Sequence, residues 1–170
     1  MRECLYCESA AGDLPQAVVY QDADVIAFLD WRQSALGHVL VVPRQHLSAE
    51  ELCSSDVGPA LLRAVARVAR GLRRSISPDG LQMGAIIYPA AGLWRGSGVA
   101  RADLQRKGAV TEETAEDGHF HLHLVPRRSR GEVARIWPFG DDVENPRHLA
   151  EVAARVRKAV NAEVRAERVV

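Results

Sequence analysis

The sequence predicts one α+β domain: an antiparallel sheet of about five strands with helices packed on one side. Three observations lead there. Short apolar runs rich in Val, Ile and Leu, bounded by Asp, Gly and Pro, recur at 17–20, 25–30, 38–43, 81–88 and 118–126, as strands do. Two other stretches carry apolar residues at helical spacing. The chain of 170 residues, 47% hydrophobic and 26% charged, is about one domain long and can bury its own core.

Each element follows from its residues. Asp22, Ala23 and Asp24 make a tight connection between the first two strands, which suggests that the pair runs antiparallel. After the third strand, Ser48 and Glu51 have the spacing of a capping box and open a short helix. A longer helix begins near Asp56, with Pro59 in its first turn and Leu61, Val65, Val68 and Leu72 as its apolar face. Residues 89–117 follow the fourth strand. They hold Gly92, Gly96, Gly98 and Gly108 among arginines and show no sustained period; an insertion of that length is usually a functional lid or disordered. The fifth strand is 118–126. Asn145 and Pro146 then cap a last helix, reaching about 165, with Leu149, Val152, Val156, Val160 and Val164 as its stripe.

Composition excludes some functions. Formal charge is zero, with 22 basic and 22 acidic residues, so duplex nucleic acid is not an expected partner. A few local arginines would still suffice for a small phosphorylated ligand. No run of some 18 apolar residues occurs, and Met1 is followed by no apolar signal segment; the expectation is a cytoplasmic protein without a membrane partner. Three cysteines, an odd number, fit a reducing compartment. Cys4 and Cys7 form a CxxC pair, which alone is compatible with redox chemistry, a metal or chance. A thioredoxin-like role needs the pair at a strand-to-helix junction, and its place near the chain start, before Gly12, Asp13 and Pro15, argues against that. Cys53 is expected to be inert.

The most informative stretch is Gly118-His119-Phe120-His121-Leu122-His123-Leu124-Val125-Pro126. On a strand, side chains alternate between faces. His119, His121 and His123 then share one surface, roughly 6.5–7 Å apart along the chain, while Phe120, Leu122 and Leu124 share the other. Alternating histidines also serve redox metals in cupin-like oxygenases. That reading needs a distant histidine on a neighbouring strand, whereas His148 falls in the last helix and is expected on its exposed face. His38 is expected to pack at a strand start.

The same stretch resembles the signature of the histidine triad (HIT) family, in which three histidines alternate with apolar residues. Ala27 to Trp31, Gly37 to His46, and the opening Cys4 to Cys7 are similar to further family segments in order and spacing. The resemblance covers about residues 4–88 and 118–127. It implies a hydrolase or nucleotidyltransferase acting on nucleoside phosphates or phosphoramidates, usually a homodimer, with a nucleotide or nucleotide conjugate as substrate. His121 would attack the α-phosphorus to form a nucleotidyl-histidine, and His123 would donate to phosphate oxygens beside His119. Asp30 would bind ribose hydroxyls, and Tyr6, Phe28 and Trp31 would line the base pocket. Zinc-containing members imply one structural zinc held by Cys4, Cys7, His46 and His119.

The chain departs from the family just before the triad. Counting back, Glu116 stands where the family has Ser or Thr, after an insertion of about thirty residues. A carboxylate near phosphate is repulsive unless protonated or paired. Glu116 therefore points away, has a cation beside it, or serves a different leaving group such as an amine. Arg95, Arg101, Arg106 and Lys107 in the insertion are candidate phosphate contacts. An alternative is a non-catalytic nucleotide- and zinc-binding regulator.

Overall fold

The structure is a computed structural model that describes residues 4–12, 17–30, 33–85, 118–128 and 145–167. Trp31 and the whole insertion 89–117, with Arg95, Arg101, Arg106, Lys107 and Glu116, lie outside the described residues. Five strands form one sheet: β1 (Val18–Gln21), β2 (Val25–Leu29), β3 (Val39–Pro43), β4 (Gly80–Gly84) and β5 (Leu122–Arg127). Their order across it is β1-β2-β3-β5-β4, and every neighbouring pair is antiparallel. The β1–β2 turn closes as Asp22 suggests. Its backbone nitrogen donates to the Val25 carbonyl (2.9 Å) and its carboxylate accepts from the Asp24 and Val25 nitrogens.

Alternation sorts the strand residues between two faces. Val25, Ala27 and Leu29, with Val39, Val41, Leu122 and Leu124, face the main core. There α3 (Val57–Ile76) and α4 (Pro146–Glu167) cover them. The expected stripes face the core: Leu61, Val65, Val68 and Leu72 on α3 and Leu149, Val152, Val156 and Val160 on α4 are buried, and Val164 is half-buried. Gly71 lets the two helices meet, because a Cβ there would fall 2.3 Å from Val160 Cγ2. Buried Glu163 of α4 is held by Arg70 (2.9 Å) and Arg74 (2.7 Å) of α3. The short helix α2 (Ala49–Cys53) has its capping box, with both Ser48–Glu51 hydrogen bonds formed.

Three features differ from expectation. A helix, α1 (Leu5–Ala11), opens the described chain with Cys4 as its N-cap residue. It lies on the face opposite α3 and α4, where Ala10 and Tyr6 pack with Ile26, Phe28, Leu40 and Val42. Arg44 braces its end, donating to the Ala10 carbonyl and to the Asp22 carbonyl (2.8 Å). β4 ends at Gly84, and positions 86–88 lie outside the described residues.

β5 begins at Leu122, not at 118. Its pairing with β3 stops at Leu122–Val41 although β3 runs two residues further, to Pro43, which as a proline has no N–H to give and whose carbonyl accepts from the His119 side chain. Phe120 instead donates its backbone N–H to Leu47 (2.8 Å). Gly118 turns the chain into this segment at φ +62°, a left-handed conformation that glycine adopts without strain.

Candidate functional site

The face covered by α1 carries all three histidines of the triad. His119 and His121 lie in the extended approach to β5 and His123 within it, at 4%, 6% and 2% exposure. Phe120, Leu122 and Leu124 pack on the main core behind them. The predicted alternation therefore holds although the strand is shorter. The rings lean together: the His121 and His123 centroids are 4.9 Å apart, closer than the backbone rise alone gives.

Cys4, Cys7, His46 and His119 converge at one end of this row, with one donor atom from each within 4.8 Å of all the others. Cys4 Sγ and Cys7 Sγ are 3.4 Å and 3.5 Å from His119 Nδ1, and Cys7 Sγ is 3.3 Å from His46 Nδ1. Ligands at about 2.3 Å (sulfur) and about 2.0 Å (nitrogen) from a tetrahedral zinc stand about 3.5 Å apart. The spacing and the donor set both fit. His119 Nε2 donates to the Pro43 carbonyl (2.9 Å), so its proton sits there and Nδ1 faces the thiols with its lone pair. A second bond of this kind typically orients a metal-binding imidazole. Burial pushes His119 down to about 4, against the Pro43 bond and helped by neighbouring His46 and His121, so the ring is neutral at pH 7.

His121 is fixed in the same way with the nitrogens exchanged. Its Nδ1 is 3.1 Å from the His119 carbonyl. A carbonyl only accepts, so Nδ1 carries the proton and Nε2 the lone pair. Burial lowers its pKa and keeps it uncharged. The Tyr6 hydroxyl is 3.2 Å from that Nε2, and the two ring centroids are 4.5 Å apart.

At the far end stands a residue that sequence reasoning treated only as packing. His38, 1% exposed, places Nε2 2.9 Å from His123 Nδ1. The Ser34 backbone N–H points at His38 Nδ1 (3.4 Å), so Nδ1 accepts and Nε2 donates to His123. His123 then carries its own proton on Nε2. Burial, with His121 and His38 nearby, pushes His123 down to about 2, so it is a neutral donor. Asp30 follows β2 directly, with Oδ2 3.6 Å from His38 Nδ1. The signal was present: just ahead of β3, His38 is two and four residues before Leu40 and Val42, which share its face, and Leu40 pairs with His123.

The other expected residues are dispersed around this row. Tyr6 touches His121 directly. Phe28 is buried among Ile26, Leu40 and Val42, under α1. Trp31 lies outside the described residues. His148 is exposed on α4, as expected, and exposed Cys53 ends α2. The chemistry available is a neutral imidazole lone pair flanked by an imidazole N–H, beside a cluster suited to a metal.

Comparison with known proteins fits this arrangement. The HIT domain family profile matches residues 11–93. Protein hit of Bacillus subtilis is 28% identical over 156 residues, covering 91% of this chain and 92% of its own. A HIT-like protein of Borreliella burgdorferi is 30% identical over 129 residues, 75% of this chain and 77% of that one. Adenosine 5'-monophosphoramidase hnt1 of Schizosaccharomyces pombe is 24% identical over 135 residues, 79% and 83% of the two chains. The crystal structure of a Zn-bound histidine triad family protein from Mycobacterium smegmatis superposes with a TM-score of 0.63 at 25% identity, over 96% of this chain and 97% of that one. With its five-stranded fold, its alternating histidines and these relatives, the chain belongs to the histidine triad (HIT) family.

Proposed function

We propose that the protein hydrolyses nucleoside phosphates or phosphoramidates, or transfers their nucleotidyl group, through a covalent intermediate on His121. One observation carries the reading. His121 is buried, uncharged and locked by the His119 carbonyl into the tautomer that puts the lone pair on Nε2, the atom that would bond phosphorus. In the first step that lone pair forms a nitrogen–phosphorus bond, and the bond from the α-phosphorus to the leaving group breaks. The leaving group departs with its electron pair and takes up a proton. Water, or another nucleotide acceptor, then attacks the phosphorus and returns the electron pair to Nε2. The His123 Nε2–H stabilises negative charge that grows on the phosphoryl oxygens.

The phosphoramidase activity named for the fission-yeast relative supports an amine as one leaving group. Asp30 binds the ribose hydroxyls and Trp31 and Phe28 line the base pocket, whereas Tyr6, expected in that pocket, bears on the phosphate end through its contact with His121. Cys4, Cys7, His46 and His119 hold one zinc, whose contribution is structural: it ties α1 to the sheet and braces the neighbour of His121. The zinc named for the mycobacterial relative supports this assignment. The working unit is a cytoplasmic homodimer of single-domain chains. Among the described residues no helix is long and apolar enough to cross a membrane.

The test is to incubate the protein with adenosine 5'-phosphoramidate, quench with alkali and map adducts by mass spectrometry. An adenylyl group on the peptide carrying His121, and its loss in His121→Ala together with turnover, is expected. Turnover that survives His121→Ala would defeat the reading.

A further inference from the structure

Tyr6 stands between the two cysteines of the CxxC pair, and its hydroxyl sits 3.2 Å from the one nitrogen of His121 that can attack phosphorus. His121 Nδ1 carries the ring proton and donates it in a hydrogen bond to the His119 carbonyl, so the phenol must be the donor and Nε2 the acceptor. The two rings are tilted by 32° with centroids 4.5 Å apart. In the ligand-free chain the attacking lone pair is therefore already occupied.

The position of Tyr6 is closely held. Cys4 and Cys7, on either side of it, reach His119 and His46 at 3.3–3.5 Å. The helix turn around it closes through Glu8 N–H to the Cys4 carbonyl (3.0 Å). Its ring also meets the edge of His119, 5.7 Å between centroids. A phosphorus poised for attack comes within about 3–3.5 Å of Nε2, into the space the hydroxyl occupies. The hydroxyl must give way, but its tether leaves it little distance to go. An oxygen on that same phosphorus is then an acceptor within its reach.

We propose that Tyr6 is a reversible cap on the nucleophile that becomes a phosphate ligand: its hydroxyl holds His121 Nε2 until a nucleotide enters, then passes its hydrogen bond to a phosphoryl oxygen. The inference rests on the nucleotidyl-histidine reading and assigns it a catalytic residue whose donor acts on the charge that grows at phosphorus. No proton changes owner in the exchange; one hydrogen bond replaces another. A phenylalanine at this position would keep the ring and lose both states. The phenol also supplies a donor close to the reacting phosphorus in a chain whose Ser or Thr before the triad is replaced by Glu116.

Tyr6→Phe tests this with two independent readouts, zinc content and thermal melting serving as checks that α1 still docks. The first is the nitrogen-15 shift of His121 Nε2 in substrate-free protein. The proposal expects it to move downfield, toward that of an imidazole nitrogen accepting no hydrogen bond. The second is the single-turnover rate of nucleotidyl-histidine formation from adenosine 5'-phosphoramidate, expected to fall by about tenfold or more. An unchanged nitrogen shift overturns the cap. A shifted nitrogen with undiminished adduct formation overturns the transfer to phosphate. Should wild type form no adduct, the hydrolase reading fails, and the nitrogen shift still decides the cap alone.

Discussion

Replacing His38 by phenylalanine tests whether the tautomer of His123 is set from outside the triad. The substitution keeps a flat ring of similar size in a fully buried slot and deletes the Nε2–H that reaches His123 Nδ1 at 2.9 Å. Two effects follow. His123 loses a donor to a buried acceptor, which costs about 1–3 kcal/mol. It is also free to move its proton to Nδ1, which turns a lone pair toward the phosphoryl oxygens where a donor is required. Losing one such donor to transition-state charge raises the barrier by about 1.5–3 kcal/mol, a tenfold to hundredfold fall in rate. The fall belongs in kcat, with KM nearly constant, because the bond strengthens as charge develops. His38→Gln offers an amide N–H at similar reach and should recover most of the loss. The assay is steady-state hydrolysis of adenosine 5'-phosphoramidate, with thermal melts to confirm folding. A His38→Phe variant within twofold of wild type, or a Gln variant no better than Phe, refutes the relay.

Two further outcomes are expected. Cys7→Ser, measured by elemental analysis after purification without added metal, should bind well below one zinc per chain, whereas Cys53→Ser should match wild type; equal zinc in both would remove the Cys4–Cys7–His46–His119 assignment. Stability should also fall with acid. Burial holds His119 at about 4 against 6.5, so unfolding raises its affinity for protons, and its contribution is full above about pH 6.5 and lost as pH falls toward 4. For His119 alone the loss is about 2 kcal/mol between about pH 7.5 and about pH 5. Burial of His123 adds in the same direction. Urea titrations of chelator-treated protein measure it, and midpoints that do not move over this range would contradict the assigned burial.

What the sequence revealed was whatever is encoded locally or periodically. The stripes of α3 and α4 repeat every three or four residues, so both helices were legible in position and in facing. Ser48 and Glu51 announce α2 from three residues apart. The histidine row declared its own face through the apolar residues interleaved with it. Features that depend on distant chain were hidden. β5 starts late because Phe120 gives its N–H to Leu47, a residue beyond the end of β3, and not to the ladder. α1 is seven residues long and is held by Ile26, Phe28 and Arg44 more than by its own pattern. His38 and His123 are 85 residues apart, and only the pairing of β3 with β5 makes them neighbours. The grouping of Cys4, Cys7, His46 and His119 came from family resemblance, since no spacing within the chain predicts that four such residues share one point.

The stretch from His119 to Leu124 obeys a rule of parity. One side chain in two belongs to the chemistry and the other to the hydrophobic interior, so deleting or duplicating a single residue there would exchange the two sets, turning leucines toward α1 and driving imidazoles into the main core. Length changes in this stretch can survive only in steps of two. Lineages descended from such a chain should vary freely in how long the approach to Gly118 is, while the count between the first and last histidine stays fixed.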